Sequence, residues 1–202
     1  MPPVDPSAPV RLALIGAGVF ARDAHVPSLL RHPDRFHIAA IYSRNLANAQ
    51  ALAQQIPYPV AASDDLAGLL AQPEIEAVAV LLPIPAMPTV IRQALAAGKH
   101  VLSEKPIAAT LAEGQALLAY YEHQKRHPGQ VWMVGENWRY EEAFQRAAAL
   151  ARSGALGEVL TCHWPIFTPI NERSKYYHTT WRRDRSVPGG FVLDTGVHHV
   201  AV

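Results

Sequence analysis

The stretch VRLALIGAGVFA, residues 10–21, decides the fold of this chain. Its first part, Val10 to Ile15, is a short apolar run that predicts a buried strand of a parallel sheet. A glycine-rich turn follows, and residues 19–30 can then form a helix that Pro27 must kink or end. A G-x-G-x-x-G/A sequence alone is weak evidence, but between a strand and a helix it predicts a dinucleotide site.

Each residue of the turn has its own expected task. Gly16 permits a tight turn, Gly18 lets the backbone approach a pyrophosphate, and Ala21 keeps the strand and the helix close together. The start of the helix, including Val19 and Phe20, offers free N–H groups to phosphate. The alternative interpretation is a glycine turn without a ligand.

The sequence up to residue 136 alternates strand-like and helix-like segments. Further strands are predicted at residues 36–42, 76–82, 101–102 and 131–135. Helices are predicted at residues 46–55, 65–70, 89–97 and 110–125, with caps at Asp64 and Asp65, at Gly98, and in a Thr110–Glu113 capping box. Strands separated by such helices predict right-handed crossovers and an α/β fold with a doubly wound parallel sheet.

This alternation predicts the domain organisation. Residues 10–136 are expected to form a Rossmann domain, preceded by a disordered leader at residues 1–9 that contains four prolines. Residues 137–202 form a second region with helices at 141–152 and 191–199, a strand at 157–167 and an irregular segment between 168 and 190. Pro165 and Pro169 limit that strand to an edge or end position. One strand and two helices are too few to bury a sheet face alone.

Composition excludes several function classes. The formal net charge of +1 gives no bulk electrostatic reason to expect binding to nucleic acid or to an anionic membrane. No stretch of about 18 uninterrupted apolar residues occurs in the sequence, so no membrane-spanning helix is expected. Cys162 is the single cysteine, so an internal disulfide is excluded, which fits a reducing compartment such as the cytoplasm. We expect its thiol to be buried and inert. His123 and His127 have helical spacing but no third ligand nearby, so no metal site is expected.

The end of the second strand bears on the choice of cofactor. NAD binders usually place an acid there to hold the ribose diol, but this chain has Tyr42-Ser43-Arg44-Asn45. The hydroxyl of Ser43 and the guanidinium of Arg44 suit a 2′-phosphate, so we predict NADP, with NAD as the alternative. The other interpretation of Arg44 is a solvated loop residue.

Two further motifs supply groups for proton-coupled hydride transfer. Lys105, in Glu104-Lys105-Pro106, follows a strand and so lies at the carboxyl edge of the sheet, where a cation stabilises a developing alkoxide. Asp194 and His198 are spaced i, i+4, so the carboxylate can orient an imidazole acting as general acid and base. Alone, the first motif is ordinary loop sequence, and the second is a capped helix start with a surface histidine pair.

Together and in this order, the three motifs resemble the Gfo/Idh/MocA family of glucose–fructose oxidoreductase, inositol dehydrogenase and their relatives. The resemblance runs from about Val10 to the end, and its specific parts are AGKHVLSEKPIA at 97–108 and GGFVLDTGVHH at 189–199. It implies a nicotinamide-dependent oxidoreductase acting on a small molecule, namely a sugar, polyol or similar alcohol. It further implies that Lys105 contacts substrate and nicotinamide and that Asp194 and His198 assist substrate binding and proton transfer.

The resemblance also sets expectations around these residues. Pro106 would follow a cis peptide bond, and Glu104 would help to position the lysine. The segment beginning Leu82-Pro83, which is expected to contact the nicotinamide half, keeps only the proline of the family's T-P-N-x-x-H-like pattern.

Family members are usually considerably longer, so we expect a truncated chain. Its residues 137–202 would begin an α+β substrate domain, an open and mostly antiparallel sheet that often mediates oligomerisation. A homo-oligomer is therefore possible. Two alternatives remain: a non-catalytic regulatory protein that binds a dinucleotide, and an inactive truncated fragment of such an enzyme.

Overall fold

The computed structural model describes residues 8–123, 129–167, 169–184 and 188–201. The chain divides into two compact units, Met1–Gly135 and Glu136–Val202. Most of the predicted leader, and the end of the helix predicted at residues 110–125, lie outside the described residues.

The first unit is built on a parallel sheet of six strands. These are β1 (Val10–Ile15), β2 (Phe36–Tyr42), β3 (Ala61–Ser63), β4 (Ala77–Val80), β5 (His100–Ser103) and β6 (Trp132–Val134). Their order is β3-β2-β1-β4-β5-β6, and every neighbouring pair is parallel. This confirms the α/β class with a parallel Rossmann sheet.

Helices connect these strands. A single π-helical turn, Ala21–His25, leads into α1 (Val26–Leu30), where a plain helix was predicted, and Pro27 lies in the first turn of α1. The other helices of the unit are α2 (Leu46–Ala53), α3 (Leu66–Ala71), α4 (Met87–Ala96), α5 (Leu111–His123) and a 3₁₀ turn at Ile84–Ala86. The Asp65 carboxylate, not that of Asp64, caps α3 by accepting from the Gly68 N–H.

Strand β1 is buried on both faces, as a central parallel strand must be. Leu12 and Leu14 pack with Ala21, Val26 and residues of α2 in one cluster. Ala13 and Ile15 alternate to the opposite face and are also fully buried. The apolar run at residues 12–15 is therefore buried on both faces of the sheet.

The regular secondary structure described in the second unit is all helical. It contains a 3₁₀ turn (Asn137–Tyr140), α6 (Glu142–Arg152), α7 (Thr180–Arg183) and α8 (Gly190–Ala201). The strand predicted at residues 157–167 is wrong: these residues have irregular backbone, pair with no strand among the described residues, and are exposed. A strand needs a neighbour for its backbone groups, and no described residue of this unit supplies one.

The burial predicted for Cys162 is also wrong, because this segment leaves the thiol exposed. Among the described residues, no helix is long and apolar enough to span a bilayer.

A buried lysine fastens the amino-terminal edge of the sheet, opposite the glycine turn. Lys99 Nζ donates to the carbonyls of Gln72 at 2.6 Å and Ile75 at 2.7 Å, and the residue is 7% exposed. Burial lowers the pKa of Lys99 below its ordinary 10.5, and the charge of Glu74 partly offsets this. The ammonium thus joins the end of α3 to the start of β5.

Replacing Lys99 should therefore destabilise the first unit. Lys99→Met leaves two carbonyls without their donor, so we expect a loss of about 1–3 kcal/mol in the free energy of unfolding, measured by urea denaturation. Arg35→Met is the control, because that exposed side chain makes only a weak pair with Asp34, and it should cost less than about 0.5 kcal/mol. Equal losses would refute the role of Lys99.

Candidate active site

Gly16 lies where β1 leaves the sheet and is held by both neighbouring strands. Its N–H donates to the Tyr42 carbonyl at 2.9 Å, and Leu81 N–H donates to the Ile15 carbonyl at 2.8 Å. Its φ is +122°, and a Cβ built on it would lie 2.4 Å from the Leu81 carbonyl oxygen. Only glycine fits here, so the chain turns sharply above the carboxyl ends of β1 and β4.

The remainder of the turn is open on its outer side. Gly18 is exposed, and a Cβ there would meet nothing within 4 Å. Val19 is half-buried and Phe20 is exposed, whereas Ala21 is 1% exposed and packs into the core. The free space beside Gly18 and the tight packing of Ala21 fit a backbone that receives a pyrophosphate.

The sheet reverses its winding between β1 and β4, which places a crevice at their carboxyl ends. From β1 the order runs through β2 to β3 on one side and through β4 and β5 to β6 on the other. Ligands of open α/β sheets bind at such a switch point. Leu82 and Pro83 follow Leu81, the first residue after β4, are half-buried, and lead into the 3₁₀ turn.

Ser43 and Arg44 lie at the carboxyl end of β2. Ser43 N–H donates to the Ser63 carbonyl at 3.0 Å, and the Ser43 hydroxyl accepts from the Asn45 N–H at 3.3 Å. Asn45 caps α2 by accepting from the Ala47 N–H. Arg44 is exposed between Ser43 and Asn45, at the end of the strand where the ribose of a dinucleotide would bind.

The loop after β5 contains Glu104 and Lys105, both half-buried, and the Lys105–Pro106 peptide bond is cis, as the resemblance implies. Glu104 Oε1 lies 2.7 Å from Nε2 of His25, which ends the π-helical turn. The other oxygen, Oε2, accepts from the Lys105 N–H at 3.3 Å. Because β4 lies between β1 and β5, this pair links the glycine turn to the lysine loop across the end of β4.

In the second unit Asp194 is held by an arginine. Its Oδ2 accepts from Arg182 Nε at 2.8 Å, with both side chains mostly buried. The guanidinium lies over the rings of Trp181 at 4.2 Å and Tyr176 at 4.9 Å. Stacking and pairing together fix the planar Arg182 side chain beside the carboxylate.

His198 of the same unit is held by a glutamate. Its Nδ1 lies 2.6 Å from Glu136 Oε1, and its ring stacks on Trp138 with centroids 4.8 Å apart and planes 11° from parallel. Glu136 Oε1 also accepts from the Trp138 N–H at 3.1 Å. Asp194 and His198 both lie on α8, as their spacing predicted, but the hydrogen bond described for the imidazole is to Glu136.

Sequence reasoning missed three residues, each a partner of a site residue: His25, Glu136 and Arg182. His25 lies four residues after Ala21, on the element that the glycine turn opens, which is the only signal it offered. Glu136 is 62 positions from His198 and Arg182 is 12 from Asp194, so neither pair shows in local spacing. Among the described residues no group of three or more His, Cys, Asp or Glu is placed to hold a metal ion, and His127 lies outside them.

Comparison with known proteins agrees with this fold. The family model "Oxidoreductase family, NAD-binding Rossmann fold" matches residues 10–131, and the model "GFO/IDH/MocA C-terminal domain" matches residues 144–202. Dehydrogenase FPY6 of Fusarium mangiferae is 38% identical over 200 residues, which are 95% of this chain and 56% of that protein.

Two solved structures extend the comparison. An oxidoreductase from Thermotoga maritima has a TM-score of 0.84 and 33% identity over 96% of this chain and 58% of its own. The 3-ketoreductase KijD10 of Actinomadura kijaniata, solved in complex with NADP, has a TM-score of 0.61 and 28% identity over 74% of this chain and 46% of its own.

The chain therefore belongs to the Gfo/Idh/MocA family of oxidoreductases, and its first unit is an NAD-binding Rossmann domain. It spans about half the length of the curated relatives it matches.

The two glycines of the turn should respond differently to the same substitution. Gly16→Ala strains a positive φ and places a methyl against the Leu81 carbonyl, so unfolding should become easier by about 1–3 kcal/mol or more. Gly18→Ala meets no protein atom and should leave stability within about 0.5 kcal/mol. It should still weaken NADPH binding about tenfold in a fluorescence titration, or about 1.4 kcal/mol. Unchanged NADPH affinity in Gly18→Ala would contradict the pyrophosphate assignment.

Proposed function

We propose that this protein is an NADP-dependent oxidoreductase that transfers a hydride between the nicotinamide and a hydroxyl carbon of a sugar, polyol or similar alcohol. The observation that supports it most is the placement of the glycine turn and the Lys105 loop. They lie at the carboxyl ends of β1 and β5, on either side of β4 at the switch point of the sheet. A dinucleotide bound by the turn would extend towards the lysine.

The proposed chemistry divides proton and hydride between different groups. When bound, NADP⁺ supplies the hydride acceptor. Lys105 stabilises the negative charge that develops on the substrate oxygen during oxidation, and the Nε2 of His198 takes the hydroxyl proton. Asp194, fixed by Arg182, orients a substrate hydroxyl. In the reductive direction, His198 returns the proton to the oxygen.

We assign the cofactor contacts to one face of the first unit. The turn residues Gly16, Gly18, Val19, Phe20 and Ala21 would hold the pyrophosphate. Ser43 and Arg44 would bind the 2′-phosphate. Leu82, Pro83, Glu104 and Lys105 would line the nicotinamide end.

The preference for NADP over NAD depends on Arg44. No acid follows β2, and the exposed guanidinium lies where a 2′-phosphate would need a cation. The bound NADP of KijD10 supports the same choice.

The organisation we propose is a Rossmann domain at residues 10–136 and the beginning of a substrate domain at residues 137–202. We further propose a cytoplasmic location and a homo-oligomeric enzyme.

The cofactor preference has a direct test. Arg44→Ala should weaken NADPH binding about tenfold or more while changing NADH binding less than about threefold, because only NADPH has the 2′-phosphate. Fluorescence titration with both nucleotides measures this. Arg35→Ala removes the same charge from an exposed position before β2 and should alter neither affinity. Equal loss for both nucleotides would remove the 2′-phosphate assignment.

Enzymatic activity depends on Lys105. A screen of sugars and polyols with NADP⁺, followed by NADPH absorbance, should find turnover in the wild type that falls about a hundredfold or more in Lys105→Met. Arg35→Met also removes one positive charge, from an exposed side chain before β2, and should retain turnover. NADPH binding without turnover on any alcohol would instead favour a dinucleotide-binding regulatory protein.

A further inference from the structure

Glu136 is an almost fully buried carboxylate with all its described hydrogen bonds on one oxygen. The residue is 7% exposed, and Oε1 faces both the Trp138 N–H at 3.1 Å and His198 Nδ1 at 2.6 Å. Within the described part of the chain, Oε2 is buried and has no hydrogen-bond partner. The acid–base chemistry proposed above for His198 assigns no task to Glu136.

The geometry makes Oε1 an acceptor towards the imidazole. The Trp138 N–H already points at this oxygen, and an ionised carboxylate can only accept. His198 must then have its proton on Nδ1 to complete the short contact. In the neutral ring a proton on Nδ1 leaves Nε2 unprotonated, with its lone pair free to accept a proton.

Two further contacts hold this arrangement. Trp138 stacks on the His198 ring and so fixes its plane, while the backbone of the same residue fixes the carboxylate. Asp194, the carboxylate that helical spacing suggested for this task, accepts from Arg182 at 2.8 Å. The hydrogen bond described for the His198 imidazole is with Glu136, at the start of the second unit.

We propose that Glu136 is the positioning residue of His198: it holds the imidazole in the Nδ1–H tautomer and keeps Nε2 as the proton acceptor. This inference rests on the proposed function for its meaning in catalysis. When Nε2 takes the substrate proton, the buried carboxylate lies beside the imidazolium and stabilises its charge. The imidazolium formed in that step in turn compensates the buried negative charge of Glu136.

The tautomer is observable without a substrate. ¹⁵N NMR of protein labelled in its histidines, recorded where the rings are neutral, distinguishes a protonated from an unprotonated ring nitrogen. His198→Gln identifies the His198 signals. We expect a protonated Nδ1 and an unprotonated Nε2 in the wild type, and a shift of at least fivefold towards the Nε2–H tautomer in Glu136→Leu.

His25 is the matched control in the same spectra. Its Nε2, not its Nδ1, faces a carboxylate, so it should show the opposite tautomer. Glu104→Leu should change the His25 signals and leave those of His198, and Glu136→Leu should do the reverse. Retained His25 signals in Glu136→Leu report that the first unit remains folded, and retained His178 signals, from a ring that contacts the Glu172 carbonyl at 2.9 Å, report the same for the second unit.

Two results would overturn the proposal. One is an Nε2–H tautomer of His198 in the wild type. This measurement uses no variant, so it tests the proposal even if Glu136→Leu does not fold. The other is an unchanged tautomer in folded Glu136→Leu. An NADPH titration of the wild type separates this test from the proposed function. If NADPH does not bind but His198 has the Nδ1–H tautomer, only the proposed function is refuted. If NADPH binds but His198 has the Nε2–H tautomer, only the role of Glu136 is refuted.

Discussion

The close approach of β1 and β4 at their carboxyl ends is the constraint on which the first unit depends. Gly16 is bonded to the end of β2, and its Cα lies so near the Leu81 carbonyl that no side chain fits between them. This contact fixes where β1 ends and where the π-helical turn begins. The contact lies at the switch point of the sheet, two residues before the open space beside Gly18. A fold requirement at one glycine thus sets the geometry of the nucleotide crevice.

Three side chains of the candidate site are each paired with a charged or ionisable partner from elsewhere in the chain. Glu104, which precedes Lys105, pairs with His25; Asp194 pairs with Arg182; His198 pairs with Glu136. Their side chains are only 8–15% exposed, so removing one partner would leave a polar group both desolvated and unsatisfied. Such pairs contribute little net stability, since desolvation offsets the attraction. Their effect is to restrict each functional side chain to one orientation.

Local patterns in the sequence predicted the first unit well and the second less well. Runs such as Val10–Ile15 are buried on both faces, so their apolar character shows directly in sequence, and Gly16 and Gly98 mark turns that require positive φ. Residues 157–167 have strand-like composition but form no strand, because pairing depends on a neighbour that composition does not reveal. The candidate residues were found from motifs, whereas their partners were not, since a contact across 62 or 79 positions leaves no local signal.

The two imidazole–carboxylate pairs differ in which ring nitrogen they use, and this difference separates their proposed tasks. His25 presents Nε2 to Glu104, so the nitrogen at the tip of its ring is occupied and the pair joins the π-helical turn to the Lys105 loop. His198 presents Nδ1 to Glu136, next to its own backbone, and no described hydrogen bond uses Nε2 at the tip of the ring. A general base needs an accessible lone pair and a second contact that fixes the tautomer. His198 has the second contact, through Nδ1, and that contact leaves Nε2 out of the pair, whereas His25 uses the nitrogen that a base would need.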